Sequence, residues 1–468
     1  MKIYNSISRQ IEEFVPLKKG QVGMYTCGPT VYMFAHIGHG RKYVYDDVLR
    51  RLLTADGFKV THVQNITDVG HLVSDADEGE DKLEKGARLA NKTVWEVAQM
   101  FTDSFFADMD KLNILRPDIS CKATDHIPAQ IKLVQKLVDK GFAYDTPEAV
   151  YFDVAKFPRY DHLFGQNLQD KLVAARSDVV TGSYKKNPVD FALWFKRIGK
   201  FADHSMHWDS PWGDGFPGWH IECSAMSMEY LGETFDIHTG GEDHLSIHHP
   251  NEIAQAEAAT GKPLARYWVH HGFLMVDGAK MSKSLGNVYR VTDVMDKGFS
   301  SLALRYFFLT AHYKTPQNFT WSAVAAAQSA YDKVVSFVRG AQTSAVTRIS
   351  LSKEKLKKID EYRDRFWTVL NNDMNVPQGL AVMWEMLKSN IPDRDKLDLL
   401  LDFDQVLGLD LVNISEIAVP DEVKQLAAER ERLRKSGEFV KADEVRMQVE
   451  KMGYTINDTA HGPTFTKK

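Results

Sequence analysis

Two short segments of the chain carry residues suited to handling phosphate. Residues 278–287, GAKMSKSLGN, hold Lys280 and Lys283 three apart among serines and glycines. Such a flexible cationic loop fits a pyrophosphate that gains charge in a transition state. Nearer the N-terminus, CGPTVYMFAHIGHGRKY places His36 and His39 three apart around Gly38. Both imidazoles could donate hydrogen bonds to phosphate oxygens, and Gly38 lets a nucleotide approach the backbone closely. A third constellation combines thiol, imidazole and carboxylate: Cys27, Cys223 in PGWHIECSAMSMEY, and His248 with Glu252 in HHPNEIAQAE. All three ligand types bind zinc. No CxxC pair is present, and buried cysteines also serve as small apolar core residues, so spacing alone leaves the metal open. His248 and Glu252 share a helix face if the helix includes both, whereas Pro250 favours the first helical turn and could leave His248 ahead of it.

These groups need elements to position them. Residues 22–27 and 59–66 read as short buried strands, and 40–55 between them as a helix with Val44, Val48, Leu49 and Leu52 at helical spacing and Gly57 as its stop. Strand, loop, helix, strand is a βαβ unit and argues for a parallel sheet. The loop entering the helix after the first strand is where such sheets bind nucleotides. A capping box, Thr93 with Glu96, predicts a helix over 93–112, and another spans 127–139 before Gly141. The polar stretch 142–205, with a hairpin around Thr146-Pro147-Glu148, reads as an insertion; sheet signal returns at 235–238 and 267–276. After Trp321 the periodicity is helical over 322–339, 354–371, 376–389 and 393–408. From Pro420 two short helices meet at Ser436-Gly437, followed by a tail.

A length of 468 residues predicts roughly three domains, and 44% hydrophobic with 26% charged residues excludes a disordered or fibrous chain. Three cysteines cannot staple a protein of this size, and their odd number fits a reducing compartment. With no signal-peptide core and no apolar run of about 18–20 residues, a cytoplasmic protein without membrane spans is expected. A formal net charge of −5 argues against a nucleic-acid partner for the chain as a whole. Basic and acidic residues also balance over 421–451, although Arg430, Arg432, Arg434 and Lys435 form a local basic cluster.

His-Ile-Gly-His after the first strand paired with Lys-Met-Ser-Lys-Ser after a late one resembles the signature of class I aminoacyl-tRNA synthetases. Within that class the chain resembles the cysteinyl-tRNA synthetases, on MYTCGPTVYMFAHIGHGRKY, VQNITDV, DFALW, SPWGDGFPGWHIECSAMSMEYLGETFDIHTGG, HHPNEIAQAEAATG, YWVHHGFLMVDGAKMSKSLGN and FVKADEVRMQVEKMGYTINDT. The resemblance implies an α/β fold. A Rossmann-type catalytic domain would span 1–318, with a connective insertion over about 115–205 and a KMSKS loop at 280–284. An α-helical bundle (319–415) and a small C-terminal anticodon-binding module (416–468) would follow.

It further implies a cytoplasmic monomer that activates L-cysteine with ATP and Mg2+ and transfers it to the 3′-terminal adenosine of tRNA(Cys), through the 2′-OH. Cys27, Cys223, His248 and Glu252 fall on the family's zinc ligands, with His244 and His249 as further imidazoles nearby; one Zn2+ per chain is implied. His36, Gly38, His39, Asp243, Lys280 and Lys283 fall on ATP-handling positions, and Gly28, Thr67, Trp219 and His238 around the amino acid. Zinc suits this substrate, because pocket shape separates small apolar differences by only about 10–200-fold, whereas a thiolate binds the ion far better than a serine hydroxyl. Two alternatives remain: a ligase joining activated cysteine to an amino sugar, which should lack terminal tRNA-reading helices, and a non-catalytic RNA-binding paralogue, which should have lost His36, His39 or Lys283.

Overall fold

Apolar runs bounded by polar turns form five strands of a central sheet: β1 (Gln21–Thr26), β2 (Lys59–Ile66), β3 (Ile119–Lys122), β4 (Phe235–Gly241) and β5 (Ala265–His271). All neighbours are parallel, in the order β5-β4-β1-β2-β3. The computed structural model describes residues 1–69, 72–74, 78–165, 184–282, 285–343, 351–414, 420–459 and 462–467. From β1 the chain builds outward on one side through β2 and β3, then returns to the other side for β4 and β5. Strand order therefore reverses between β1 and β4, and a crevice opens beyond their carboxyl ends. The pairings Thr26 with Thr239 and Thr26 with Gln64 fix that edge, and Cys27 follows immediately.

Three helices labelled for their part in the site pack on this sheet: α1 (Ile37–Ala55), α2 (Trp219–Leu231) and α3 (His248–Thr260). α1 buries Val44, Val48, Leu49 and Leu52 as the periodicity predicts, but it starts three residues before position 40. Ile37 stands seven residues before Val44 and is buried with it, but the two glycines of the first turn, Gly38 and Gly40, hid that start, which His36 caps. The Thr93–Glu96 capping box closes reciprocally, with N–H to oxygen distances of 3.2 and 2.8 Å, ahead of the helix Val94–Lys111. Ile127–Asp139 is helical as expected, and Gly141 turns away from it at φ +78°. The expected hairpin pairs Ala143–Asp145 with Ala149–Phe152, and Phe191–Lys196 and Gly215–Pro217 extend it to four antiparallel strands. Trp194, Phe152, Ile221, Met226, Ile253 and Trp268 belong to one buried apolar cluster, each side chain worth about 1.5–3 kcal/mol.

One expectation fails at 267–276. The chain leaves the parallel sheet at Gly272, and Leu274–Val276 joins a different sheet with Ala279–Lys280 and Gln317–Phe319. A Cβ at Gly272 would sit 2.7 Å from the Lys314 carbonyl oxygen, a long-range contact that local periodicity cannot register.

The chain divides into two compact units: Met1–Lys297 with Ala311–Phe319 and Asn371–Asn375, and Gly298–Thr310 with Thr320–Leu370 and Val376–Lys468. In the second unit the helices Trp321–Thr343, Lys353–Leu370, Val376–Lys388 and Asp393–Leu407 appear at the expected places. Phe366 stacks on Phe403 with ring centroids 3.8 Å apart. Helices Asp421–Lys435 and Phe439–Lys451 are followed by a tail that forms a hairpin, Tyr454–Thr459 with Gly462–Lys467. Tyr454 and Ile456 pack on Val423, Ala427 and Val449, which is why those strands form. The basic cluster is partly neutralised: Arg430 grips Asp458 with two bonds of 2.6 and 3.0 Å, Arg434 bonds the same carboxylate, and Lys435 pairs with Glu431 at 2.7 Å. Among the described residues no helix is long and apolar enough to cross a membrane.

Candidate active site and metal centre

At the start of α1 the two histidines cap the helix that carries them. His36 Nδ1 accepts from Gly38 N–H at 3.1 Å, and His39 Nδ1 accepts from His36 N–H at 3.1 Å. An accepting Nδ1 carries no proton, so each neutral ring holds its proton on Nε2 and keeps that N–H for an external acceptor. Burial keeps both rings neutral, lowering His36 to about 4 against the opposing pull of Asp243, and His39 well below its usual range. Two imidazole donors thus stand beside the free amides and positive dipole end of a helix.

Beyond β1, the side chains of Cys27, Cys223 on α2, and His248 and Glu252 on α3 bring one ligand atom each within 4.8 Å of one another, all buried. His248 is the first residue of α3 despite Pro250, so the spacing of four does put both side chains on one face, with Nε2 to Oε1 at 3.0 Å. His220 Nδ1 lies 3.0 Å from His248 Nδ1. That fixes the ring and leaves Nε2 facing the cluster, beside Glu252 Oε1. Burial raises the Cys27 thiol, while its hydrogen bond to Cys223 lowers the latter toward thiolate. Burial also opposes charge on His248 and Glu252, yet pairing overrides it: His238 and His248 hold Glu252 well below the carboxylate range, and Glu252 with Cys223 raises His248 to about 10. Two thiols, an imidazole and an ionised carboxylate converging in a buried space fit a thiophilic dication, which would take the place of the proton shared by His248 and Glu252. A second set, Cys27, His238, His249 and Glu252, meets the same 4.8 Å limit. In it His249 Nε2 lies 3.5 Å from Cys27 Sγ with its Nδ1 bonded to His270 at 2.7 Å, and His238 Nε2 lies 2.8 Å from Glu252 Oε2. His244 enters neither set.

Both features open on one cavity of about 420 Å³, whose lining includes Cys27, Gly28, His36, Gly38, His39, Thr67, Trp219, Cys223, Asp243, His248 and Lys280. Gly28 has no alternative: a Cβ there would lie 1.6 Å from the Asn65 carbonyl oxygen. Asn65 holds the wall together, accepting from Gly28 N–H at 2.7 Å and donating to Thr67 at 3.0 Å, and Thr67 donates to Glu222 at 2.8 Å. The Trp219 ring lies 4.6 Å from that of His248. Asn287 bridges the loop after Lys280, accepting from Ser282 N–H at 2.8 Å and donating to the Lys280 carbonyl at 3.2 Å. Two residues of the expected site do not face the cavity. His238 is fully buried behind Glu252, its ring stacked on Trp268, and Glu252 reaches the site only through the cluster. Lys283 lies outside the described residues.

Sequence reasoning missed Lys42, which lines the cavity, donates to the Cys27 carbonyl at 2.6 Å and pairs with Asp46 at 3.0 Å. Its spacing of three from His39 was the available signal, visible only once the helix start is moved to Ile37. His220 and Asn65 carried none, since His248 lies 28 residues from the first and Gly28 lies 37 from the second.

The depressed histidines set a pH dependence. His36 and His62 are both lowered to about 4, chiefly by burial, against about 6.5 for an unfolded histidine. Between those values the unfolded chain binds more protons at these two sites, so their contribution to stability rises with pH through that window and levels off above it. Urea midpoints should fall between about pH 6.5 and about pH 4.5; a flat profile there would contradict the neutral, buried rings.

A family model described as the class I (C) tRNA synthetase catalytic domain matches residues 13–329. The chain is 44% identical to Cysteine–tRNA ligase 1 of Burkholderia lata, covering 99% of this chain and 96% of that one. It is 42% identical to a Cysteine–tRNA ligase of Chlorobaculum tepidum, covering 100% and 99%. Among solved structures it shares its fold with Mycobacterium tuberculosis methionyl-tRNA synthetase bound to methionyl-adenylate (TM-score 0.57, 17% identity, 84% and 90% covered). It does so too with an Agrobacterium radiobacter LeuRS in a ternary complex with tRNA and LeuAMS (TM-score 0.60, 14% identity, 86% and 85% covered).

Proposed function

From the premise that the chain belongs to the cysteine–tRNA ligase family of class I aminoacyl-tRNA synthetases, we propose which of its residues do the work. The enzyme is a cysteine–tRNA ligase that uses ATP to activate cysteine and passes it to tRNA. Full-length likeness to such ligases, terminal helices included, leaves the amino-sugar ligase unsupported. The observation that carries the assignment of residues is the convergence of imidazole donors, a lysine and a thiol-rich quartet on one cavity.

In the first step the cysteine α-carboxylate attacks the α-phosphate of ATP and pyrophosphate leaves. No side-chain nucleophile is needed. The Nε2–H groups of His36 and His39 and the ammonium groups of Lys280 and Lys283 meet the charge that spreads over the departing pyrophosphate; ATP would enter as its Mg2+ complex. Gly38 lets the nucleotide lie against α1, and Asp243 faces the ribose. Gly28, Thr67 and Trp219 shape the amino-acid end of the cavity. Cys27, Cys223, His248 and Glu252 would hold zinc, which when bound would grip the substrate sulfur in preference to a hydroxyl. His238 orients Glu252 from behind, and His220 orients His248. The second step is attack of the terminal adenosine 2′-OH of tRNA(Cys) on the adenylate. The reading includes one zinc per chain and a monomeric cytoplasmic enzyme, in keeping with three free buried thiols.

Cysteine-dependent ATP–pyrophosphate exchange, followed by transfer of labelled cysteine to unfractionated tRNA, tests this. Both activities are expected. Exchange without transfer would favour a small-molecule acceptor, and the absence of exchange would point to a non-catalytic relative.

A further inference from the structure

Arg41 lies in the second turn of α1, and its residue exposure is 1%. Its guanidinium makes four hydrogen bonds: Nε to Gln317 Oε1 at 3.0 Å, Nη1 to the Gly272 carbonyl, and Nη2 to the carbonyls of His312 at 3.0 Å and Thr315 at 2.7 Å. Every acceptor is neutral. Among the described residues no carboxylate bonds to it; Glu242 acts on it only through space. An unpaired buried guanidinium is costly to desolvate, and tying carbonyls together does not by itself require a full charge. What the charge faces is informative. Gly272, bonded to Nη1, lines the same cavity as His36, Gly38, His39 and Lys280. A cation held in low dielectric behind that wall projects a weakly screened field into the space beyond.

We infer that Arg41 is a positioning residue whose charge, bonded to no carboxylate and held behind Gly272, favours binding of the ATP triphosphate and release of charge onto pyrophosphate in the adjoining cavity. The inference rests on the reading of that cavity as the ATP site. Its four bonds also lock α1 to the point where the chain turns out of the parallel sheet toward Lys280, so charge and geometry must be separated experimentally.

Gln317 allows this without touching α1. Gln317→Glu keeps an oxygen for Arg41 Nε and adds a neutralising charge; Gln317→Met removes the bond and adds no charge. In cysteine-dependent exchange, Gln317→Glu should lose about tenfold or more in kcat/KM for ATP, with KM for cysteine changed less than about twofold, while Gln317→Met should lose less than about threefold. Equal losses in the two variants, or no loss in Gln317→Glu, would overturn the inference. A wild-type protein that performs no exchange would instead refute the reading of the cavity. Should Gln317→Glu lower the Tm, Arg41→Lys and Arg41→Gln provide the second pair. Calorimetric affinity for pyrophosphate should be kept within about threefold by lysine and fall about tenfold with glutamine, and equal affinities would overturn the proposal.

Discussion

Replacing Cys223 with alanine is expected to empty the metal centre and to collapse discrimination against serine, while leaving the parallel sheet folded. The substitution removes the sulfur that accepts the hydrogen bond from Cys27 and that lies toward the ionised form. Cys27, with its thiol raised by burial, is then a poor ligand on its own. His248 and Glu252 still pair across one helical turn at 3.0 Å, and a histidine–carboxylate pair without thiolate has much lower zinc affinity at neutral pH. Zinc measured by atomic emission after dialysis should fall from near one per chain to near zero. The ratio of kcat/KM for cysteine over serine in the exchange assay should fall by at least about two orders of magnitude, toward the roughly 10–200-fold that shape alone can give. Folding is reported separately by the Tm measured against zinc-stripped wild type, from which it should differ by no more than a small buried side chain costs, about 1–2 kcal/mol. Zinc retained at full occupancy, or selectivity unchanged after its loss, would remove Cys223 from the role assigned to it.

How far this site could be read from the chain differs from residue to residue. The lysine and histidine motifs are contiguous, so their chemistry is legible locally; what was not legible is that the Nδ1 atoms of His36 and His39 are spent on their own helix. Histidine is an unusual cap, and propensity gives no warning of it. The metal quartet presents the opposite case. Its four side chains come from the end of β1 and from two helices that enter much later, and the spacing between them is set by topology, so resemblance to a family had to supply the set. The same limit explains the errors in the fold. Gly272 turns the chain out of the sheet because of a carbonyl at Lys314, and the terminal hairpin forms because Tyr454 and Ile456 find a core on preceding helices. Charge counting failed for a related reason. Arg430 and Arg434 belong to a local basic cluster in the chain, but Asp458, beyond the second terminal helix, folds back to meet both. Any RNA contact made by this region has to use cations other than that pair or displace a two-bond Arg430–Asp458 grip.

The second large effect is expected at His36, where two functions of one ring can be separated. Its Nδ1 caps α1 by accepting from Gly38, and its Nε2–H is the donor assigned to phosphate. Asparagine is among the best helix caps, and its side-chain oxygen can take over the Nδ1 contact, but it is too short to present a donor where Nε2 stands. His36→Asn should therefore keep the Tm within what a few tenths of a kcal/mol moves, yet lower kcat for adenylate formation by about 10²–10³, the usual effect of deleting one preorganised donor to a developing charge. Cysteine binding, governed by the other end of the cavity, should be unchanged. His36→Ala loses the cap as well and should add about 1 kcal/mol of destabilisation to the same kinetic defect. The contrast between the variants is what identifies the chemistry. If alanine and asparagine were both near wild type in kcat, the ring would be only a cap; if asparagine restored activity that alanine lost, the defect would trace to the position of α1 and the phosphate role would pass to His39 and the lysines. Equal kinetic losses with unequal stability are expected, because only Nε2 faces the reacting phosphates while Nδ1 serves the helix.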